Sequence, residues 1–390
     1  MKTTIFFLLL LFAAIKAGAQ TSALNIADSL YAVGNYSEAI EELEKSGSRS
    51  QSVLLKLARA QKANGNVAAA LENYRTVIES NPERVLTTVE YAQLLSATGE
   101  IKAADSIFKQ LVKKYPMNAN FHYQLGLVKE KLQDSTAMNH YNITILLQKN
   151  HQQAFAKVAK RALVSGKLME AERLSKQGLE TNPTNRTLLS ILAQAYYFQK
   201  EYELAIEEFE KLVVLGEGSE FIHSRLGTAN YHLERYEVAI EQFKQALNFE
   251  DKNHATHYSL GKLYAITGDY EKSEFHLLAA ILLKDQILDE EFTSLGLTYK
   301  LKEQPKKALE YFDKAIKENP DNERALFERA IAGDSYYKDL ETRLKLYEAY
   351  LEKYETAGDS YLRKLAKRRV KDIREEIHLN ASGQGATIPK

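Results

Sequence analysis

The stretch that decides the fold runs from Asp289 to Asn322, DEEFTSLGLTYKLKEQPKKALEYFDKAIKENPDN. Its first half sets Phe292, Leu295, Gly296 and Tyr299 at helical spacing, and its second half does the same with Ala308, Phe312 and Ala315. Pro320 then ends the run, because its ring cannot continue an α-helical hydrogen-bond ladder. The stretch reads as a helix hairpin. Gly296 and Ala308 are the small residues that let the two helices cross closely, and Phe312 fills the space one turn further on.

Working outward, the same hairpin recurs along the chain. The small residue of the first helix falls at Ala27, Ala58, Ala92, Gly126, Ala159, Ala193, Gly227, Gly261, Gly296 and Ala330, and six of the nine intervals are 34 residues. The second small site follows at Ala39, Ala70, Ala104, Ala171, Ala205, Ala239, Ser273 and Ala308, with a bulky residue such as Tyr74, Phe108, Phe209, Phe243 or Leu277 four positions later. Glycine marks the turn at Gly34, Gly65, Gly99, Gly166 and Gly268, and proline closes the repeat at Pro82, Pro116, Pro183 and Pro320. Two repeats depart from the pattern. Around Leu132 to Tyr141 one residue is missing and Ala137 takes the second small site; in the tenth, Arg329 stands where leucine is usual.

These residues resemble the tetratricopeptide repeat, and the unit from Phe292 to Pro320 matches that family's pattern almost position for position. Where the family often has tryptophan this chain has Leu54, His122, Phe155, Leu189, His223, His257 or Phe292, which accounts for a tryptophan count of zero beside 23 tyrosines. The resemblance implies an all-α, right-handed superhelical solenoid of about ten helix-turn-helix repeats with first helices lining a concave groove. Mapping the family's groove positions onto repeats six to eight selects Gln194, Tyr197, Phe198, Phe221, Ser224, Thr228, Tyr231, His232, Tyr258 and Lys262, an aromatic strip suited to a protein or peptide partner. Repeats two and five instead present a basic patch, Arg59 and Lys62 with Lys157 and Lys160. A partner with an acidic segment at one end and apolar anchors further along would suit that gradient. The lysine–asparagine pattern by which chaperone-binding members clamp a C-terminal carboxylate is not reproduced.

The organisation expected is a signal peptide at 1–19, a repeat solenoid at 20–356, a capping helix at 357–379 and a flexible tail at 380–390. Lys2 followed by the eleven apolar residues Ile5 to Ile15 and by Ala17-Gly18-Ala19 has the form of an export signal cleaved before Gln20. The run is too short for a membrane span, and the rest of the sequence has no second one, so the mature chain is expected in a periplasmic or secreted location. In the capping segment, Tyr361, Leu362, Leu365, Val370, Ile373 and Ile377 form the apolar stripe of a helix that would cover the last repeat.

Composition narrows the chemistry. With 52 basic against 52 acidic side chains the chain is not built to neutralise nucleic-acid phosphates. Without cysteine it has no disulfide, thiolate nucleophile or cysteine-ligated metal. Ser106-x-x-Lys109 and Ser259-x-x-Lys262 have the spacing of a serine–lysine pair but occupy ordinary repeat positions, and Glu207-Glu208 and Asp289-Glu290-Glu291 read as solvated helix faces. No catalytic residues and no cofactor are expected. The function expected is an exported, non-catalytic scaffold. Two alternatives stand beside it: a metal- or small-ligand-binding protein or enzyme using His254, His257 and His276, and a self-assembling structural protein.

Overall fold

Seven residues after the small site of each of the first nine first helices, the backbone turns left-handed. In a computed structural model that describes residues 23–284 and 287–381, this happens at Gly34, Gly65, Gly99, Gly166 and Gly268, and equally at Gln133, Lys200, Glu234 and Glu303. Glycine adopts that conformation freely, whereas a residue with a Cβ is strained by roughly 1 kcal/mol. The turn is therefore a demand of the repeat, met with glycine in five places and against local preference in four.

Each turn joins two helices, and the described residues contain no strand. The hairpins are α1 (23–32) with α2 (Tyr36–Lys45), α3 (Gln51–Ala63) with α4 (Val67–Ser80), α5 (Val85–Ala97) with α6 (Ile101–Lys114), α7 (Ala119–Lys131) with α8 (Ala137–Leu147), and α9 (Gln152–Val164) with α10 (Leu168–Leu179). They continue as α11 (Arg186–Gln199) with α12 (Tyr202–Val214), α13 (Glu220–His232) with α14 (Tyr236–Phe249), α15 (His254–Thr267) with α16 (Tyr270–Leu283), α17 (Asp289–Leu301) with α18 (Pro305–Glu318), and α19 (Glu323–Tyr336) with α20 (Leu340–Lys353). A last helix, α21 (Ser360–Ala381), follows. The chain forms two compact bodies, one ending at Leu188 and the other beginning at Leu189, so the division falls inside α11. The segment expected to be an export signal lies outside the described residues, as does the tail beyond Ala381.

Close crossing at the small sites holds each hairpin together. A methyl group added at Gly126 would lie 2.5 Å from the Tyr141 ring, and one at Gly261 or Gly296 would lie 2.6 Å from Leu277 or Phe312. Where the site is alanine it is sealed: Ala58, Ala92, Ala159, Ala193 and Ala330 have no exposed surface. The shortened fourth repeat keeps this scheme, with Ala137 and Tyr141 both buried in α8. In the tenth, α19 runs on without a left-handed turn, and Arg329 reaches Asp313 at 2.6 Å.

Neighbouring repeats are joined by their helix caps. The Asn185, Asn253 and Asn322 carboxamides each accept a backbone N–H at the head of a first helix. Their NH2 groups meanwhile donate to Gln152, Glu220 and Asp289 of the preceding repeat at 2.8–3.0 Å. Buried tyrosines add further bonds: Tyr74 donates to Glu90 of the next repeat at 3.0 Å, whereas Tyr141 to Glu130 at 2.7 Å and Tyr350 to Glu323 at 2.9 Å tie the two helices of one hairpin.

α21 covers the last hairpin through Leu362, Ala366, Val370 and Ile373, packed with Phe327, Leu344, Tyr347 and Tyr350. The buried stripe differs slightly from the sequence reading, since Tyr361 is 66% exposed and Ala366 is fully buried. The small side chain at 366 lets the helix lie close to its neighbours, and the contact face turns toward it.

Candidate functional site

The ten strip residues lie on the first helices α11, α13 and α15, all within the C-terminal body, and form two clusters. In the first, the Tyr197 ring meets Phe198 and Tyr202 edge-on at 5.6 and 5.9 Å. The guanidinium of Arg225 lies over three rings, 4.7 Å from Tyr197, 5.2 Å from Phe221 and 5.8 Å from Phe198. Gln194 bonds back to Ser190 within its own helix, and Ser224 donates to Glu220 while also lying 3.4 Å from the Thr256 hydroxyl of α15.

The second cluster surrounds a cavity of about 160 Å³ lined by Thr228, Tyr231, His232, Tyr258 and Lys262 of the predicted set, with Phe243, Ser259 and Leu263. Lys262 Nζ is 5.4 Å from the Tyr258 ring and 5.9 Å from that of Tyr231. Tyr258 is half-buried; that burial pushes its hydroxyl pKa up, and the hydroxyl accepts a hydrogen bond from Ser294 at 3.2 Å. His232 stacks flat on Tyr202 at 4.6 Å. The arrangement offers π faces, two cations and an apolar floor, which suits binding. The Ser259 hydroxyl is turned to its own helix, donating to the Ala255 carbonyl at 2.8 Å.

The predicted basic patch has a different character. Arg59 is gripped by both oxygens of Glu90 at 2.7 and 3.0 Å, and Lys157 pairs with Glu130 at 2.7 Å. These are the carboxylates that also receive Tyr74 and Tyr141. Lys62 and Lys160 are exposed.

Of the three histidines, the structure brings two together. His257 Nε2–H donates to the Asp251 carbonyl at 3.0 Å, so its Nδ1 accepts from His276 Nδ1–H at 2.9 Å. Burial, reinforced by the neighbouring ring, lowers His276 to about 4. His254 is exposed at the head of α15, and no group of three or more metal-ligating side chains occurs among the described residues. His122 with His140 repeats the pair at 3.2 Å, and His223 with Gln242 gives a mixed version at 2.8 Å. Histidine at the former tryptophan position thus serves to join the two helices of a hairpin.

Two readings need correction. Glu208 and Glu291 are buried, not solvated, because Lys211 and Lys284 neutralise them at 2.8 and 2.7 Å. Arg225, the side chain that organises the first cluster, was missed because it lies outside the mapped groove positions. Its signal was present: a basic residue one helical turn after Phe221, in the repeat that follows Tyr197 and Phe198.

Comparison with known proteins identifies the repeat. Models described as tetratricopeptide repeat match residues 61–126, 157–220, 254–286 and 290–322. The chain is 28% identical over 159 residues to anaphase-promoting complex subunit 3 of Schizosaccharomyces pombe, a match covering 40% of this chain and 24% of that relative. The matched region therefore spans about a quarter of the curated relative's length. Among solved structures it is similar to YrrB, described as a TPR protein with an unusual peptide-binding site, at 24% identity and a TM-score of 0.45, covering 48% of this chain and 95% of that one. It is also similar to yeast Tom70 at 12% identity and a TM-score of 0.42, covering 95% of this chain and all of that one.

Proposed function

Because this chain belongs to the tetratricopeptide-repeat family, a protein-interaction fold, we propose that it is an exported, non-catalytic scaffold holding a peptide or protein segment against the first helices of repeats six to eight. One observation carries the reading: five of the ten strip residues converge on a single cavity, and three more, Tyr197, Phe198 and Phe221, share one cation. Aromatic rings of this kind supply contact area at little conformational cost, and a cavity close to 150 Å³ takes a guest about the size of benzene.

The test is a photo-crosslinking amino acid placed at Phe198 or Tyr231, with Glu241 on the second helix α14 as control, in the native host. A protein captured from the two strip positions and not from Glu241 supports the reading. Equal capture at all three, or capture only at Glu241, overturns it. Export is checked separately by sequencing the N-terminus of the purified chain, which is expected to begin at Gln20.

A further inference from the structure

We infer that the segment bound in this strip is acidic, with carboxylates placed to reach Arg225 and Lys262 on either side of an apolar anchor. The inference rests on the strip being the binding surface and adds the chemistry of what binds there.

The argument begins with two repeat positions that meet between neighbouring first helices. One lies directly after the small site, and the other lies two residues before the next small site. In repeat two these are Arg59 and Glu90, and they form the bidentate ion pair. In repeat eight they are Lys262 and Ser294. Between repeats six and seven they are Gln194 and Arg225. These two junctions of the C-terminal body thus keep a cation and lack the carboxylate, while the junction between them, Thr228 with Ser259, carries neither. The reason is local: Glu90 also receives the buried hydroxyl of Tyr74, whereas the equivalent bulky residues in repeats six and eight are Phe209 and Leu277, which have nothing to donate.

Among the described residues no carboxylate pairs with Arg225 or Lys262; aromatic faces hold both. Several other first-helix cations are answered inside the protein, as Lys56 is by Asp28, Lys129 by Asp134 and Lys300 by Glu328, while Lys62 and Lys160 are exposed and, among the described residues, lack the aromatic faces. A guanidinium stacked on rings has its N–H groups directed away from them, and these remain free to donate. The carboxylates whose charge reaches Tyr258 head α17: Asp289 is bonded to Asn319 and Asn322, Glu291 to Lys284, and Glu290 is exposed.

The helices that carry the two cations are adjacent. Asn253 of α15 bonds Glu220 of α13 at 3.0 Å. Packed helices lie about 8–10 Å apart, which an extended segment crosses in about three residues. Between them opens the cavity floored by Phe243 and Leu263. A segment with acidic residues two to four apart around one leucine or phenylalanine satisfies all three features.

The experiment uses the purified chain and three dye-labelled probes read by fluorescence anisotropy. They are a twelve-residue peptide alternating glutamate with leucine and phenylalanine, its glutamine analogue, and polyglutamate without apolar residues. The acidic peptide is expected to bind, weakening as salt is raised, with the glutamine analogue at least about tenfold weaker. Arg225→Gln and Lys262→Gln, each checked for unchanged circular dichroism, are expected to lose about fivefold to tenfold, while a Lys62→Gln/Lys160→Gln double variant loses nothing. Equal binding of the glutamine analogue, equal binding of polyglutamate, or loss only in the double variant overturns the inference. If the peptides fail while crosslinks from Tyr231 persist, the acidic assignment falls and the strip stands; if crosslinks vanish as well, both fall.

Discussion

Repeats two and eight place a cation at the same point, directly after the small site, and the two side chains end in opposite circumstances. Arg59 is locked to Glu90 from the next repeat, in a trio completed by the buried Tyr74 hydroxyl. Lys262 has Ser294, bonded to the Tyr258 hydroxyl, as its counterpart at the same junction, and rests on Tyr231 and Tyr258. One arrangement turns charge into a repeat-to-repeat fastening; the other leaves charge available at a surface. The difference teaches that in a periodic fold a basic residue says little about binding until its counterpart about one period away is known.

The comparison can be broken most sharply by making repeat eight resemble repeat two. Ser294→Glu supplies the missing carboxylate beside Lys262, and the acidic peptide is expected to lose about thirtyfold or more in affinity, about 2 kcal/mol, read by anisotropy. An unchanged affinity would mean that Lys262 is not what the peptide reads. Next in size is Gly261→Ala, which gives repeat eight the alanine that repeat two carries at Ala58. The added methyl meets Leu277 at 2.6 Å, so the chain should be destabilised by about 1–3 kcal/mol in a denaturant titration. In the reverse direction, Glu90→Gln weakens the Arg59 fastening and the Tyr74 bond together. A loss of about 1–2 kcal/mol is expected, with no gain in acidic-peptide binding, because Arg59 has no aromatic cradle.

The histidine pair offers a test by pH. Folded, His276 titrates at about 4, below the value near 6.5 of a free histidine, so the unfolded chain binds more protons across that window. Stability contributed by the pair is complete above about pH 6.5 and is lost as pH falls toward 4. His276→Gln recreates the His223–Gln242 version found in repeat seven, and thermal melts from pH 7 to 4.5 should show a shallower decline in the variant. The smallest effect is expected at the turns. Glu303→Gly, which gives repeat nine the residue found at Gly65 of repeat two, should stabilise by about 0.5–1 kcal/mol, measured as a rise in melting temperature.

Much of the fold was legible because it depends on residue size at fixed intervals. Gly296 against Phe312, and Ala137 standing in for a missing residue, could be read directly, since steric fit is written in side-chain volume. The left-handed turns at Gln133, Lys200, Glu234 and Glu303 could not, because tertiary packing overrides what those residues prefer. At the site, the aromatic residues were identified by position, whereas the state of each charge was not. Arg59 and Lys157 look as free as Lys262 in a linear reading, because their carboxylates lie 31 and 27 residues away. Burial of Glu208 and Glu291 was hidden for a different reason: Lys211 and Lys284 lie only three and seven residues away, but which helix face is covered depends on packing between helices.

The asparagine caps have a consequence for how such a chain is made. Asn253 and Asn322 each orient the start of a helix while their amide is held by Glu220 or Asp289, which were synthesised earlier. A ribosome releases the anchoring residue first, so each new helix emerges toward an acceptor already in place. At these junctions assembly has a direction matching translation: the finished repeat is the template on which the next one starts.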